Sequence, residues 1–477
     1  MQLGVIGDTP AAGNPLIQRL SPIDWKLHLS TEMPHALRRV LLAIVAMAAA
    51  EAALAAQQPL TLEEAVQTAL AHNAGLRAVR SGVSEATAHV DEAHAGWFPR
   101  VSVAETWQRG DQPVFVFSSL LSARQFAPPN FAIDALNHPD AIGFYRTSIA
   151  LEQQIFDAAR GSAVESATYR RDIAQFSSDE AAAGLMLATV QAYGRTLMAD
   201  AAQRAAEGAL EAGREDLTRT SQRRDAGVAS DADVLALVAH VADLQQRAIH
   251  HQGEAAVSRA ELNRLMGVPI DREYQVAPPP DADGVVLAAG RLDVLLAEAE
   301  RSRPELRRAA SGQLLADAER ESARAALIPR VAAQAAFDIS GTQFNDRASA
   351  WLVGAEVRWS LSLGGAEAAR IRAATDARTR AAAEAEDRRA AVQVEVVTAL
   401  RRLQAANARR SAGLAAVDQA RESQRITRDR FEAGLATVTD VLRASSAVVE
   451  AESQRVSAAV DAMVSEATLR RALGRSP

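Results

Sequence analysis

The sequence repeats itself. Shifted by 230 positions, Leu76, Arg77, Ser81 and Gly82 fall on Leu306, Arg307, Ser311 and Gly312, and Pro99-Arg100-Val101 falls on Pro329-Arg330-Val331. Shifted by 207, Arg223, Gly227, Ala229 and Asp233-Val234-Leu235 fall on Arg430, Gly434, Ala436 and Asp440-Val441-Leu442, and Leu262, Arg264 and Gly267 on Leu469, Arg471 and Gly474. The registers differ by 23 residues, so the first copy carries extra chain between them. A duplicated unit folds as two copies of one supersecondary arrangement, here reading helix, strand, strand, long helix, turn, helix. The expected division is 60–276 for the first repeat, 277–290 for a linker opening with Ala277-Pro278-Pro279-Pro280, and 291–474 for the second.

Each copy opens with a helical stretch that ends at Pro99 or Pro329, because the residue before a proline is pushed out of the helical region. Alternation of period two follows. Val331, Ala333, Ala335, Phe337 and Ile339 point one way while Arg330, Gln334 and Asp338 point the other. Trp351, Val353, Ala355, Val357, Trp359 and Leu361 repeat the pattern against Glu356, Arg358 and Ser360. The first copy has Val101, Val103 and Trp107, then Ile149, Leu151 and Ile155. Strands of about ten residues with one apolar face, and aromatics such as Trp107, Trp351 and Trp359 near their ends, form the pattern of a membrane β-barrel. Two hairpins on a soluble core would alternate in the same way; four such strands with no other sheet to cover them favour the barrel.

Proline-free helical tracts follow, from about Gly161 to Gln222 and from about Gly365 to Arg428. At ~1.5 Å per residue, about 60 residues span roughly 90 Å, more than a compact domain uses. The return helices have coiled-coil spacing, Leu237, Val241, Leu244 and Ala248 in one copy and Leu442, Val449, Val456 and Met463 in the other. Alanines between them let helices approach, and the Arg and Glu residues read as solvated faces. Four strands cannot close a barrel, for which about eight is the practical minimum, and lipid does not tolerate unpaired edges. Strands in a membrane therefore require several copies; periodicity does not fix how many.

Composition agrees with long, close-packed helices: 48% of residues are hydrophobic but only 4% aromatic. The net charge of −7, with both signs interleaved, gives no sign of the basic face that a nucleic-acid binder usually carries. There is no cysteine, which removes disulfides, thiolate catalysis, Cys-based metal sites and a lipid-anchored N-terminus. Met33 to Arg39 is a basic stretch before the apolar run Val40 to Ala50, with Ala53-Leu54-Ala55 as a small-residue cleavage site. Residues 33–55 read as a secretory signal peptide and 1–32 as a non-native or disordered extension, with Met33 the expected start.

On these grounds the chain resembles the TolC family of outer-membrane efflux proteins, over about Leu60 to Gly474. The motifs that carry the resemblance are Leu-Thr-Leu-Glu-Glu-Ala at Leu60 to Ala65, the two Pro-Arg-Val strand entries, and the turn Arg-x-x-x-Gly-x-x-x-x-x-Asp-Val-Leu at Arg223 to Leu235 and again at Arg430 to Leu442. The resemblance implies a mixed α and β membrane protein with an internal two-fold repeat. A long α-helical coiled-coil barrel would continue into a transmembrane β-barrel of four strands per protomer. It implies a homotrimer in the outer membrane of a Gram-negative bacterium, reaching into the periplasm. The trimer would be the passive duct of a tripartite efflux or type I secretion system, in contact with outer-membrane lipid, a periplasmic adaptor and an inner-membrane transporter. Neither cofactor, metal nor enzymatic activity is expected. An adaptor would carry one hairpin flanked by β-rich domains, and a structural coiled-coil protein of the envelope would lack the strand pairs.

Carried onto this sequence, the resemblance makes Arg223, Gly227, Arg430 and Gly434 the adaptor-docking tip, and Asp233 and Asp440 carboxylates of the tunnel entrance. The same glycines also suit a permissive turn, and the aspartates a helix N-terminus; the roles are compatible. Phe431 stands where a gating tyrosine can occur, Ala436 where an arginine can pair with it, and Arg443 in place of a second acidic residue, so any polar lock differs here. His89 with His94, and His250-His251, lack the spacing of a zinc-protease helix. Between its strands the first copy holds the long segment Arg109 to Gly143, against Ser340 to Ala350 in the second. We expect a surface loop folding over or into the barrel mouth.

Overall fold

The computed structural model describes residues 59–278, 290–433 and 435–475, which belong to one unit, Pro59–Pro477. The extension 1–32, the signal peptide, linker residues 279–289, Gly434 and the last two residues lie outside the described residues.

The first copy consists of α1 (Leu62–His72), α2 (Ala74–Ala95), β1 (Arg100–Gly110), α3 (Pro113–Ser122), a short 3₁₀ turn (Pro128–Phe131), α4 (Ile133–Asn137), β2 (Ile142–Phe156), α5 (Ala159–Asp225) and α6 (Asp231–Met266). The second is α7 (Leu292–Ser302), α8 (Pro304–Ala325), β3 (Arg330–Gln343), β4 (Asp346–Arg358), α9 (Ala366–Glu432) and α10 (Val438–Ala472). The opening stretch of each copy is two helices, broken at Asn73 and at Arg303, whose extended ψ angles are 123°. Asn73 restarts the chain by accepting the Leu76 amide on Oδ1; Arg303 does so because Pro304 occupies the first helical position. The sequence motif at Leu60 to Ala65 is a capping box. The Glu64 amide donates to Thr61 Oγ1 at 3.3 Å and the Thr61 amide to Glu64 Oε2 at 3.0 Å.

Helices α2 and α8 end at Ala95 and Ala325, four residues before Pro99 and Pro329. Tightened turns close the gap: the Phe98 amide donates to Ala95 O and the Ile328 amide to Ala325 O, both at 3.0 Å. The four strands form one antiparallel sheet in the order β1-β2-β3-β4. β4 stops at Arg358, so Trp359 and Leu361, read above as strand residues, lie in the connection to α9, and Trp359 Nε1 donates to Leu327 O at 3.1 Å.

The long helices α5 and α9 have 67 residues each, or about 100 Å at ~1.5 Å per residue, and each folds back on a return helix. The α6 seam follows the heptad reading, with Leu237, Leu244 and Ala248 buried and Val241 half-buried, and continues through buried Ala255 and Leu262. The α10 seam follows it only in part, with Met463 buried and Leu442 and Val456 half-buried. Val449 is exposed, and Val441, Ala451 and Ala458 are buried instead, because small residues there let α10 meet both α9 and α5. At the closest crossing a Cβ on Gly194 of α5 would stand 2.5 Å from Val460 Cγ1 of α10.

Each return helix ends on a left-handed glycine, Gly267 (φ 69°) and Gly474 (φ 75°). A Cβ on Gly267 would lie 2.4 Å from His72 O, and one on Gly474 would lie 2.8 to 2.9 Å from Ser302. The short opening helix of each copy is thus seated on the glycine that ends its hairpin. Beside these contacts, among the described residues, lie two hydrophobic cores, one built on Tyr193, Leu262 and Met266, the other on Leu400, Leu403, Leu469 and Leu473.

Candidate functional site

At the far end of the hairpins, α5 closes as a Schellman turn. The Gly227 amide donates to Arg224 O and the Val228 amide to Arg223 O, both at 2.8 Å, with Gly227 at φ 78°. The second turn repeats the outer bond, Leu435 amide to Arg430 O at 2.8 Å; Gly434 itself lies outside the described residues. Thus the motif arginines contribute their carbonyls to the turn and leave their side chains to other contacts. No atom lies within 4 Å of a Cβ built on Gly227, so its conformation, not crowding, calls for glycine.

Asp233 and Asp440 are the third residues of the return helices, and both close capping boxes. Asp233 Oδ2 accepts the Ser230 hydroxyl at 2.7 Å and amide at 3.1 Å; Asp440 Oδ2 accepts the Thr437 hydroxyl at 2.7 Å and amide at 3.0 Å. The hydroxyl and then the amide hold each carboxyl below the usual aspartate range, and Arg443 and Arg430 add to the effect at Asp440. Arg443 Nη1 stands 3.9 Å from Asp440 Oδ1, a loose pair in water. The capping role is built into the fold, and each aspartate still presents a charged carboxylate at the turn.

The two tips meet. The Arg223 guanidinium lies 5.3 Å from the centre of the Phe431 ring, a cation–π contact joining the first hairpin to the second. Around it opens a cavity of about 490 Å³ with an apolar floor that includes Leu237, Phe431, Val441 and Leu442, and Arg219, Arg223 and Arg428 among its lining. Phe431 has no hydroxyl to bond, and its partner comes from the other repeat.

At the opposite end, the sheet separates two chemistries. Val103, Ile149, Phe337 and Trp351 pair across all four strands on one face, and Val101, Leu151, Ala335 and Val353 do so one step away. The other face carries Ser102, Ser148, Asp338 and Glu356, with Gln334 Nε2 donating to Glu356 Oε2 at 3.0 Å. Trp107 and Trp351 stand exposed on the apolar face at 59% and 77%, Trp107 against Tyr145 with ring centres 6.5 Å apart. Near that end the apolar face also holds Arg347, ion-paired with Glu105 at 3.1 Å and bonded to Thr147 Oγ1 at 2.7 Å. The Phe344 ring covers its guanidinium at 3.9 Å. Alternation missed this group, because its charges lie on strands far apart in sequence and neutralise one another only when paired.

The segment between β1 and β2 is helical, not an open loop. Ser340 Oγ donates to Ser122 O at 3.4 Å, Thr342 Oγ1 to Gln125 Oε1 at 2.7 Å and Gln125 Nε2 to Asp346 Oδ2 at 3.0 Å. Phe115 packs edge-on to Phe144, centres 6.3 Å apart. Phe144 and Ser340 belong to the polar face, so α3 lies across that face at the end remote from the long helices. Among the described residues no group of histidines and carboxylates has the arrangement of a metal site, and no helix is long and apolar enough to cross a membrane.

Comparison with known proteins adds to this geometry. A family model described as outer membrane efflux protein matches residues 65–268 and 295–475. The outer-membrane channel OprN superposes with a TM-score of 0.67 at 22% identity, over 87% of this chain and 89% of its own. The Campylobacter jejuni CmeC outer membrane channel gives 0.73 at 14% identity, over 87% and 85%. The outer membrane protein VceC from Vibrio cholerae gives 0.68 at 19%, over 87% and 96%. A comparison with curated proteins returned no match. At these identities the likeness to the solved structures is one of fold.

Proposed function

The chain belongs to the outer membrane efflux protein family, non-enzymatic channels of the outer membrane, and on that premise we propose that three copies form one continuous duct for export. The observation that carries this reading is the sheet. Its apolar face runs from Tyr145 to Phe156 along β2, a stretch of twelve residues, whose rises add up to about 37 Å along the strand and roughly 26 to 30 Å along the membrane normal at a tilt of about 35 to 45°. That height matches the hydrocarbon core of a bilayer. Strands β1 and β4 are the two outer strands of the sheet, and lipid leaves no room for unpaired edges. Each edge is therefore completed by another copy, and three copies give a barrel of about twelve strands, within the even-numbered range of such barrels.

Below the barrel the helical hairpins form the periplasmic tunnel. Its tips, with Arg223, Gly227, Arg430 and Gly434, dock a periplasmic adaptor that links the duct to an inner-membrane transporter. Asp233, Asp440 and Arg443 line the entrance, where Arg223 on Phe431 holds neighbouring hairpins together. Transport is passive, driven by the transporter. Family membership decides against the adaptor and coiled-coil alternatives.

The test is to purify the protein from outer membranes in mild detergent, measure its mass and record conductance in planar bilayers. A particle of three chains that opens discrete conducting steps is the expected result; a monomer without conductance would overturn the proposal.

A further inference from the structure

The insertion in the first copy carries an apolar surface that its own chain leaves uncovered. On α3, Val116 and Ser119 are buried at 6% and 3% against the body of the protein, while Val114 stands 82% and Leu121 50% exposed on the helix's other side. Beyond it, Phe131 and Ile133 are exposed at 66% and 78%. The segment is held firmly: Phe117, Phe126 and Phe131 stack edge to face with centres 4.8 and 4.9 Å apart, and Arg124 Nη2 donates to Ser349 O at 2.9 Å. These side chains therefore do not fold away into the local core.

Lipid cannot cover them, because α3 lies on the polar face of the sheet and lipid belongs to the other. With β1 and β4 completed by further copies, the polar face becomes the inside of a ring, and α3 of every copy projects into the same level of its interior. The nearest apolar surface available at that level is the same helix of a neighbouring copy. Nothing electrostatic opposes the contact, since Pro113–Ser122 contains no charged residue.

We propose that α3 of each copy meets its counterparts across the pore axis through Val114 and Leu121, so that the three insertions narrow the outer mouth of the duct. The inference rests on the multimeric duct proposed above. It adds a self-contact surface and gives it an effect, the exclusion of bulky solutes arriving from outside.

The absence of cysteine makes the test clean. Val114→Cys and Leu121→Cys are introduced singly and the purified protein is oxidised, with its mass in detergent measured in parallel. Contact around a three-fold axis predicts a disulfide-linked pair of chains within each particle. Ser102→Cys, on the polar face below α3, is then labelled on intact cells by a bulky maleimide-polyethylene glycol. Replacing residues 113–137 by a short Gly-Ser linker is expected to speed that labelling about tenfold. An assembled multimer that forms no disulfide at either position, and whose labelling rate is unchanged by the replacement, would overturn the self-contact while leaving the duct standing. A disulfide to a different protein in place of a second copy would also overturn it. A monomer would overturn both proposals.

Discussion

The two repeats share a backbone and differ in how they fill it. Their opening helices have 11 and 22 residues in both copies, and their long helices 67. Where the opening helix meets the hairpin, the first copy buries neutral hydroxyls. The Tyr193 hydroxyl lies 2.8 Å from Leu60 O and 2.7 Å from Ala277 O and shares its one proton between them, and Thr196 donates to Ala192 O at 3.0 Å. At the matching positions, 207 residues on, the second copy has Leu400 and Leu403. It places its polarity elsewhere, in a cluster of charges: Arg303 with Glu305 at 2.9 Å and Glu395 at 2.7 Å, and Arg471 with Glu395 at 3.0 Å. Duplication thus preserves the left-handed glycines that end the return helices and the capping boxes at the tips, while the opening box at Thr61 has no counterpart at Arg291. It leaves open how the polar atoms inside are satisfied.

The largest effect that would break this comparison is expected at Arg303. Its side chain is 3% exposed and that of Glu305 6%, so Arg303→Ala leaves a buried carboxylate with a looser partner, Arg471 at 3.7 Å, at a cost of about 3 kcal/mol or more, read as a fall in the urea midpoint in detergent. The Arg303 Nε and Glu305 Oε2 atoms make no hydrogen bond despite their closeness. Replacing both residues by leucine is accordingly expected to recover most of the loss; a double variant as weak as the single would show the ion pair to be needed as such. Next come the glycines. Gly267→Ala combines a left-handed backbone with a Cβ against a carbonyl oxygen and should cost about 3 kcal/mol. Gly474→Ala, whose contact is looser, should cost about 2 kcal/mol in the same assay. Equal losses would remove the link between cost and approach distance. Tyr193→Phe should cost about 1 to 2 kcal/mol, because it removes the hydroxyl from Ala277 O while Leu60 O keeps the Ala277 amide at 2.9 Å, whereas Leu400→Met at the matching site should change little.

Much of the scaffold is legible in the sequence because it depends on local rules. Proline before each strand, glycine at each turn, Ser or Thr three residues before Asp, and period-two alternation all act within a few residues of themselves. The charge cluster is not legible. Arg303 with Glu305, Glu395, and Arg471 sit on three separate stretches, and each stretch alone looks like part of a solvated face. The α10 seam leaves the heptad line at Val449 for a related reason: a helix facing two neighbours buries a wider stripe than one heptad line predicts. The helical form of the insertion was hidden because its aromatics bond to one another at contacts no period describes.

The tips give smaller effects. Ser230→Ala and Thr437→Ala should each cost about 1 kcal/mol through loss of the cap. Each capping aspartate has its folded-state pKa below its unfolded value. Its contribution is therefore full above the ordinary aspartate pKa of about 4 and is lost as pH falls through the lowered value. Amide hydrogen exchange at the turns, corrected for intrinsic rates, should rise on that acid side alike in both hairpins. A rise in one only would show that one aspartate is held by something besides its cap.

The smallest effect is the most informative about how the repeats cooperate. Arg223 and Phe431 come from different hairpins, so their contact measures the coupling between copies and not the stability of either. At an exposed site a cation–π pair is worth about 0.5 to 1 kcal/mol. A double-mutant cycle on Arg223→Gln and Phe431→Leu should return a coupling of that size in the urea midpoint. Phe431→Tyr should preserve it, because the ring face is retained. If the tips are locked by this pair, Arg223→Gln and Phe431→Leu should also each raise single-channel conductance, and the double variant should raise it no further than the larger single effect. Fully additive gains would mean that the two residues act on the entrance separately, and that the hairpins meet there without being joined.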